Sequence, residues 1–263
     1  MPFVQRGDIR YFVFENLREH VSHAIFTREG GVSPSTPGTL SFGRNAGENP
    51  DHMRENIRRA TEVLFGVDRD VCDVRQVHGC DVVAVSNVTQ HDPRTKADGM
   101  ISAATKTPLM MRFADCVPIL FYDPEHHAVG MAHAGWRGTL GRVAQAVVSE
   151  MVGHYGTRPA ALLAGIGPSI GPEKYYVGPE VVNQVQSTFP EHANDFLIWD
   201  DEGVRLDLWA TNAHVLREAG LRVDHIEVAG VCTASHTDDW FSHRAESGHT
   251  GRFAALISLE KPI

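Results

Sequence analysis

Short apolar segments bounded by turn-forming residues recur along the whole chain, and they limit the fold more than any other feature. Segments of this length are typical of buried β-strands and are too short for amphipathic helices. The predicted strands are 9–14, 22–27, 108–113, 117–122, 128–132, 161–166, 225–231 and 253–259. None approaches the roughly 20 apolar residues that a membrane-spanning helix requires. The pattern therefore predicts a protein whose core consists mainly of sheets.

Four other segments have the periodicity of helices. The first, 50–65, has Asn49 as a candidate N-cap, Pro50 in its first turn and Gly66 after its last. The others are 139–153, 178–188 and 207–219, the last stopped by Gly220. Residues 73–78 and 81–86 are also predicted to pair as a hairpin through His78-Gly79-Cys80. Because strands and helices do not alternate regularly, we expect an α/β (α+β) fold with mixed sheets.

Composition narrows the class of protein. The chain has 263 residues and a formal net charge of −9. An acidic chain repels phosphate backbones and anionic lipids, so nucleic acid and membrane surfaces are not expected partners. The N-terminal residues contain no basic start followed by an apolar run, so no signal peptide is predicted. With only four scattered cysteines, reduced thiols and a cytoplasmic location are expected.

Three separate segments each place a soft or imidazole donor beside an apolar strand. They carry His78, Cys116 and His133, each next to a turn-forming residue. Two imidazoles and one thiolate suit zinc with an open fourth position, and copper accepts the same donors. Cys80 is a competing ligand, since in a hairpin it would share a face with His78. Asp115 is a candidate to orient a histidine ligand, although continued strand geometry would turn it away from Cys116.

The segments around these residues resemble the signature blocks of the YfiH/laccase-domain family, also called multicopper polyphenol oxidoreductases. The resemblance covers nearly the whole chain in the same order. The matching segments are Gly30-Gly31-Val32-Ser33, Gln76-Val77-His78-Gly79, Ala114-Asp115-Cys116-Val117-Pro118, Ala132-His133-Ala134-Gly135-Trp136-Arg137-Gly138, Gly167-Pro168-Ser169-Ile170-Gly171, Tyr176-Val177-Gly178, Cys232-Thr233, Phe241-Ser242, Arg244 and Thr250-Gly251-Arg252.

This resemblance implies one domain, 1–263, built as a four-layer α-β-β-α sandwich. It implies a catalytic metal, usually zinc, on the positions of His78, Cys116 and His133. It also implies purine nucleoside phosphorylase activity on adenosine, inosine and methylthioadenosine, with accompanying adenosine deamination. The expected partners are a purine nucleoside and phosphate, and the expected assembly is a monomer or a homodimer.

The chain departs from the family pattern in two places. It has Leu40-Ser41-Phe42-Gly43 and Gly47-Glu48 where the family usually has Leu-Asn-Leu-Gly and Gly-Asp. It has His243 and Ala245 where Phe-Ser-Tyr-Arg-Arg is common. Both changes fall in expected substrate-contacting loops, so they bear on substrate preference and not on the metal donors.

Phosphorolysis requires a cation to hold phosphate near the sugar. Arginine suits this role because its planar guanidinium grips phosphate at two points. The candidates are Arg44, Arg137, Arg244 and Arg252, with Arg44 preferred because it lies in a glycine-bearing loop before the first helix. For deamination, zinc lowers the pKa of water to near 7, which suits attack on the adenine ring.

Four alternatives use the same sequence differently. The first is a copper-dependent, laccase-like polyphenol oxidase, disfavoured because the chain has no His-x-His pair for a multicopper cluster. The second is a cysteine–histidine amide hydrolase that edits a cell-wall precursor without metal. The third is a serine hydrolase with Ser169 in a G-x-S-x-G elbow. The last is a metal-binding scaffold without turnover.

Overall fold

The computed structural model describes residues 2–34, 39–43 and 49–261. Its strands are β1 (Phe3–Arg6), β2 (Ile9–Phe12), β3 (Ser22–Phe26), β4 (Val82–Ala84), β5 (Gly99–Ser102), β6 (Leu109–Phe113), β7 (Val117–Asp123), β8 (Ala128–Ala134), β9 (Leu163–Ile166), β10 (Tyr176–Val177), β11 (Leu197–Asp200), β12 (Gly203–Leu206), β13 (Ile226–Val228) and β14 (Phe253–Ser258). Its α-helices are α1 (Glu15–Arg18), α2 (Pro50–Phe65), α3 (Trp136–Leu140), α4 (Val143–Tyr155), α5 (Pro179–Thr188), α6 (Ala193–Phe196) and α7 (Leu208–Glu218). No α-helix in these ranges is both long and apolar enough to span a bilayer.

Two large sheets form the centre of the molecule. The five-stranded sheet has the order β1-β2-β3-β14-β6, and its strands pair antiparallel. The six-stranded sheet has the order β13-β9-β7-β8-β5-β4 and is mixed, because its outer pairs β13·β9 and β4·β5 are parallel. A small sheet with the order β10-β12-β11 has no strand paired with either large sheet.

The two large sheets pack face to face. Along β7, Leu120 and Tyr122 belong to the core between the sheets, while Ile119 and Phe121 point to the opposite face. A strand that is buried on both faces is apolar throughout, which explains why β7 is a continuous buried run. The core between the sheets includes Phe12, Ile25, Met111, Phe113 and Phe253 from one sheet and Met100, Leu120, Tyr122, Val129 and Met131 from the other.

Helices cover the outer face of each sheet. Ala60, Leu64 and Phe65 of α2 pack in one cluster with apolar residues of β3, β6 and β14. On the other side, α4 and α7 pack in a cluster with Ile119 and Phe121 of β7. The layers are therefore helix, sheet, sheet and helix, which confirms the predicted α-β-β-α sandwich.

Helix α2 has the bounds that the sequence predicts. The Asn49 side chain accepts a hydrogen bond from Asp51 N, and Pro50 occupies the first turn. Gly66 ends the helix with φ 74°, a left-handed conformation that glycine adopts without steric cost. The local signals sufficed here because both ends of the helix are determined by neighbouring residues.

The predicted helix 139–153 and the predicted hairpin are both wrong in detail. The helix is divided into α3 and α4 by Arg142, which has a left-handed φ of 64°. Residues 73–78 form no strand with 81–86; instead Arg75 makes an isolated bridge to Lys96, Cys72 just before the segment makes one to Leu109, and β4 pairs with β5. Contacts distant in sequence decide both conformations.

Candidate metal centre and substrate cavity

The three predicted metal ligands lie together. One donor atom from each of His78, Cys116 and His133 lies within 4.8 Å of the other two. Cys116 precedes β7, and His133 lies near the end of β8. Because Val117 pairs with Ala134 and Pro118 with His133, the antiparallel register brings Cys116 and His133 to the same end of the two strands. His78 reaches this point from the loop after Arg75.

Gly135 allows the cluster to close. A Cβ atom at this position would lie 2.9 Å from Cys116 Sγ and 3.2 Å from His78 Cδ2. Real Cβ atoms essentially never lie as close as 2.9 Å to another heavy atom. The glycine at the N-terminus of α3 is therefore a steric requirement of the cluster.

A buried carboxylate holds one of the histidines. Asp98 precedes β5, is fully buried, and lies with Oδ1 2.7 Å from Nδ1 of His133. Burial raises the pKa of Asp98, but the hydrogen bonds from His133 and from backbone amides outweigh this and hold the pKa below its ordinary value. Because this carboxylate is ionised, Nδ1 of His133 carries a proton and Nε2 is the nitrogen left for a ligand.

The same side chain organises the loop that carries His78. Asp98 accepts hydrogen bonds from the backbone N–H groups of Val77, His78 and Gly79, at 3.0, 3.0 and 2.7 Å. His78 adopts a left-handed φ of 59° within this loop. The side chain of His78 is exposed, whereas Cys116 is half-buried and His133 is buried.

The electrostatics favour a thiolate at Cys116. Burial raises the pKa of this thiol, but the charge and hydrogen bond of His133, with a smaller effect of His78, lower it to about 6. Burial lowers the pKa of His133, but Cys116 and Asp98 raise it to about 9. At neutral pH the two groups therefore form a thiolate–imidazolium pair.

These donors fit a metal ion. A thiolate and two imidazoles are a donor set for zinc. A histidine that binds a metal through one ring nitrogen usually donates a hydrogen bond from the other nitrogen to a carboxylate, as His133 does to Asp98. The fit rests on Nε2 of His133, which Asp98 does not engage and which can give up its proton to a metal ion, on the lowered pKa of Cys116 and on the close approach that Gly135 permits.

A cavity of about 600 Å³ opens over the cluster. It is lined by Arg137, Arg244 and Arg252, three of the four arginines predicted to bind substrate. The fourth, Arg44, lies outside the described residues, as do Gly47 and Glu48. Arg75 and Arg112 also line the cavity, and neither was predicted.

The three predicted arginines that line the cavity are held by neutral groups. The Arg137 guanidinium lies 4.3 Å from the ring centroid of Trp136, and that of Arg244 lies 5.1 Å from that of Tyr175. Arg252 donates to the backbone carbonyls of Thr250 and Gly251. Among the described residues, no carboxylate forms an ion pair with any of the three. Their positive charge is therefore available to an anionic ligand.

Asp115 does not orient a histidine ligand, the role for which it was a candidate from the sequence. Its carboxylate accepts hydrogen bonds from Thr233 Oγ1 at 2.7 Å and from the backbone N–H of Arg244 at 2.6 Å. It adopts a left-handed φ of 84°, which turns its side chain toward the C-terminal loop instead of the histidines. Sequence reasoning missed Asp98, because no local spacing relates it to His133.

The competing side chains lie elsewhere. Cys80 Sγ donates to the backbone carbonyl of Gly141 at 3.1 Å, and Cys232 is buried with Gly171 N as a donor. Ser169 is fully buried and its hydroxyl accepts a hydrogen bond from Trp209 Nε1, so it is not presented as a nucleophile. All four cysteines are free.

Comparison with known proteins identifies relatives along almost the whole chain. The family model described as "Multi-copper polyphenol oxidoreductase laccase" matches residues 22–260. A Deinococcus radiodurans protein named purine nucleoside phosphorylase is 34% identical over 92% of this chain and 90% of its own length. The purine nucleoside phosphorylase YlmD of Geobacillus stearothermophilus is 36% identical over 89% of this chain and 88% of its own length.

Solved structures agree with the sequence matches. The crystal structure of YlmD from Geobacillus stearothermophilus superposes with a TM-score of 0.90 at 30% identity, covering 98% of this chain and 99% of that one. A Bacillus licheniformis protein named YfiH gives a TM-score of 0.89 over 98% of this chain and 99% of its own. From its sequence and its fold, the chain belongs to the YfiH/YlmD family of multicopper polyphenol oxidoreductase laccase-domain proteins.

Proposed function

We propose that this protein is a zinc-dependent purine nucleoside phosphorylase that also deaminates adenosine. The observation that carries the proposal is the position of the three donor groups at one cavity with Arg137, Arg244 and Arg252. Relatives that are named purine nucleoside phosphorylase match most of the chain. Adenosine, inosine and methylthioadenosine are the proposed substrates.

The arginines bind the phosphate in this proposal. Phosphorolysis passes through a cationic sugar, so the attacking anion must be held close to the anomeric carbon. Arg244 is well suited, because Tyr176 O accepts from Nη1 at 2.9 Å and Tyr175 packs against its guanidinium. These contacts fix the plane of the guanidinium while leaving other N–H groups for phosphate.

The aromatic side chains hold the purine. Trp136 and Tyr175 both line the cavity, and each carries an arginine against its ring. A flat aromatic face next to a cation is a suitable surface for a planar base that is linked to a sugar and lies near a bound phosphate. The cavity lies within the usual size range of small-molecule sites, roughly 300–1,000 Å³.

His78, Cys116 and His133 would hold the zinc ion. Zinc at such a site supplies Lewis acidity that polarises the substrate and activates water for deamination. The chain's own contribution is to keep Cys116 ionised through its contact with His133 and to keep Nδ1 of His133 engaged with Asp98. The thiolate of Cys116 and the Nε2 atom of His133 are then both available as ligands for one ion.

Product analysis tests the proposal. Purified protein is incubated with adenosine in the presence and in the absence of phosphate, and the products are separated. Adenine with ribose 1-phosphate, formed only when phosphate is present, is the result expected for phosphorolysis, and inosine is the result expected for deamination. If neither product forms with zinc-loaded protein, the proposal is wrong.

Two cysteine variants make the test specific to the site. Cys116→Ala should lower both activities by at least about 100-fold and reduce bound zinc, because it removes a ligand. Cys80→Ala is the matched control, since Cys80 Sγ contacts Gly141 O and lies outside the cluster. The control should retain zinc and turnover.

Metal-free cysteine–histidine amide hydrolysis is the second candidate. It is favoured by the lowered pKa of Cys116, because a thiolate beside an imidazolium is also the arrangement of a nucleophilic pair. Metal analysis separates the two functions. Stoichiometric zinc, and activity that disappears when zinc is removed, support the phosphorylase; hydrolysis of an amide by metal-free protein supports the hydrolase.

Laccase chemistry is less well supported. In the described part of the chain only one group of three or more His, Cys, Asp or Glu side chains has the spacing of a metal site. One such group can hold a single copper ion, which transfers one electron at a time. Reduction of oxygen to water requires four electrons. Copper-loaded protein that oxidises phenols faster than zinc-loaded protein cleaves adenosine would reverse this ranking.

A further inference from the structure

Asp98 forms hydrogen bonds with two separate ligand-bearing segments. Its Oδ1 accepts from His78 N and from His133 Nδ1, and its Oδ2 accepts from Val77 N and Gly79 N. Each carboxylate oxygen therefore receives two donors. The side chain is fully buried, and the backbone carbonyl of Asp98 also accepts from His133 N at 2.8 Å.

Three consecutive amides surround this carboxylate. The N–H groups of Val77, His78 and Gly79 converge on it as they do in backbone anion-binding nests. This curvature requires the left-handed φ of His78, a conformation that costs a non-glycine residue about 1 kcal/mol or more. The internal anion therefore compensates a strained backbone at a predicted metal ligand.

We propose that Asp98 is the positioning residue of the metal centre, orienting the ring of His133 and fixing the backbone from which His78 reaches the site. This inference rests on the proposed metal site, which it deepens by naming the group that preorganises it. The carboxylate is not among the grouped donor atoms and does not line the cavity. It acts through the imidazole of His133 and through the backbone of His78, so that the ligand positions exist before any metal binds.

The Asp98→Asn variant tests the proposal. An asparagine offers one acceptor oxygen and one NH₂ group, so two of the four donors would face another donor. Metal-free protein is titrated with zinc in competition with a chelator, and separately with cobalt, whose absorption reports thiolate ligation. We expect zinc affinity to fall by about 10- to 100-fold.

Asp123 provides a matched control. It is also fully buried, and its carboxylate also receives four donors, two on each oxygen: the N–H groups of Glu125 and His126 on Oδ1, and His126 Nδ1 and Thr157 Oγ1 on Oδ2. Asp123→Asn should lower the thermal stability and leave zinc affinity within about threefold of wild type, since these contacts lie at the opposite end of β7.

The possible outcomes are distinct. Wild-type affinity in Asp98→Asn, or an equal loss of affinity in both variants, overturns the positioning role of Asp98 while leaving the proposed function intact. Wild-type protein that binds no zinc contradicts the proposed metal site itself.

A measurement on wild-type protein does not depend on whether Asp98→Asn folds. Nitrogen NMR of the zinc-loaded protein should find His133 protonated at Nδ1 and unprotonated at Nε2, because Asp98 accepts the Nδ1 proton. Zinc bound through Nδ1 would contradict the proposal.

Discussion

His23 and His133 are both buried histidines, but their surroundings shift their pKa values in opposite directions. His23 Nε2 accepts a hydrogen bond from Phe14 N, and Nδ1 lies 3.1 Å from the backbone carbonyl of Val21. With only neutral partners, burial lowers the pKa of His23 to about 4. His133 has Cys116 and Asp98 beside it, so its pKa rises to about 9. A neighbouring anion, and not burial itself, distinguishes the histidine of the site from the structural one.

The titration of His23 predicts how stability depends on pH. Its pKa is near 6.5 in the unfolded chain and about 4 in the folded protein, so the unfolded state binds more protons between these values. The free energy of unfolding should therefore fall by about 3 kcal/mol as the pH is lowered from 6.5 to 4. Denaturant titrations of wild type and His23→Gln across this range measure the effect.

The glutamine variant is the control for that prediction, because its side chain remains neutral throughout the range. The difference in unfolding free energy between the two proteins should change with pH in this window. A constant difference from pH 4 to pH 6.5 would show that His23 does not titrate as described.

At the scale of elements, the boundary between α3 and α4 shows how a distant contact overrides a helical pattern. Apolar periodicity continues through residues 139–153, yet the chain turns at Arg142 with φ 64°. A Cβ atom at Gly141 would lie 2.5 Å from Cys80 Sγ, and that thiol donates to the Gly141 carbonyl. The segment that carries Cys80 therefore packs directly against the end of α3.

Two glycine variants test this account. Gly141 has ordinary right-handed backbone angles, so Gly141→Ala introduces the steric contact without backbone strain, and it should lower the free energy of unfolding by about 1–3 kcal/mol. Gly153→Ala in α4 is the control, because its Cβ would meet nothing within 4 Å. It should raise stability by about 0.5–1 kcal/mol through helix propensity. Chemical denaturation measures both, and equal effects would contradict the account.

At the scale of the whole molecule, the charge of the cavity differs from that of the chain. The net charge is −9, yet five arginines and one aspartate line the cavity over the candidate metal centre, and among these arginines Arg112 is paired with the buried carboxylate of Asp73. The acidic exterior disfavours polyanions such as nucleic acids, while the cavity can attract a small anion. This distribution agrees with the phosphate that the proposed reaction requires. The apolar core between the sheets adjoins the site, with Cys116 packed against its margin.

Metal removal should therefore affect activity before it affects the fold. Treatment with a chelator is expected to abolish nucleoside turnover while the far-ultraviolet circular dichroism at 25 °C is retained, because the core of the two sheets is built from many buried apolar side chains, with the donor Cys116 at its margin. Zinc added back should restore turnover. Unfolding of the chain on chelation would indicate instead that the metal is a structural element of a scaffold protein.

The sequence by itself determined those features that depend on neighbouring residues: the bounds of α2, the apolar strands, and the types of donor at His78, Cys116 and His133. It also carried the family resemblance, from which the layered fold follows. The tertiary structure alone decided that Asp98 and not Asp115 contacts His133, that Arg137, Arg244 and Arg252 share one cavity, and that the helix breaks at Arg142. The physical reason is that helix caps and apolar periodicity act within a few residues, whereas these contacts join segments whose proximity depends on the path of the whole chain.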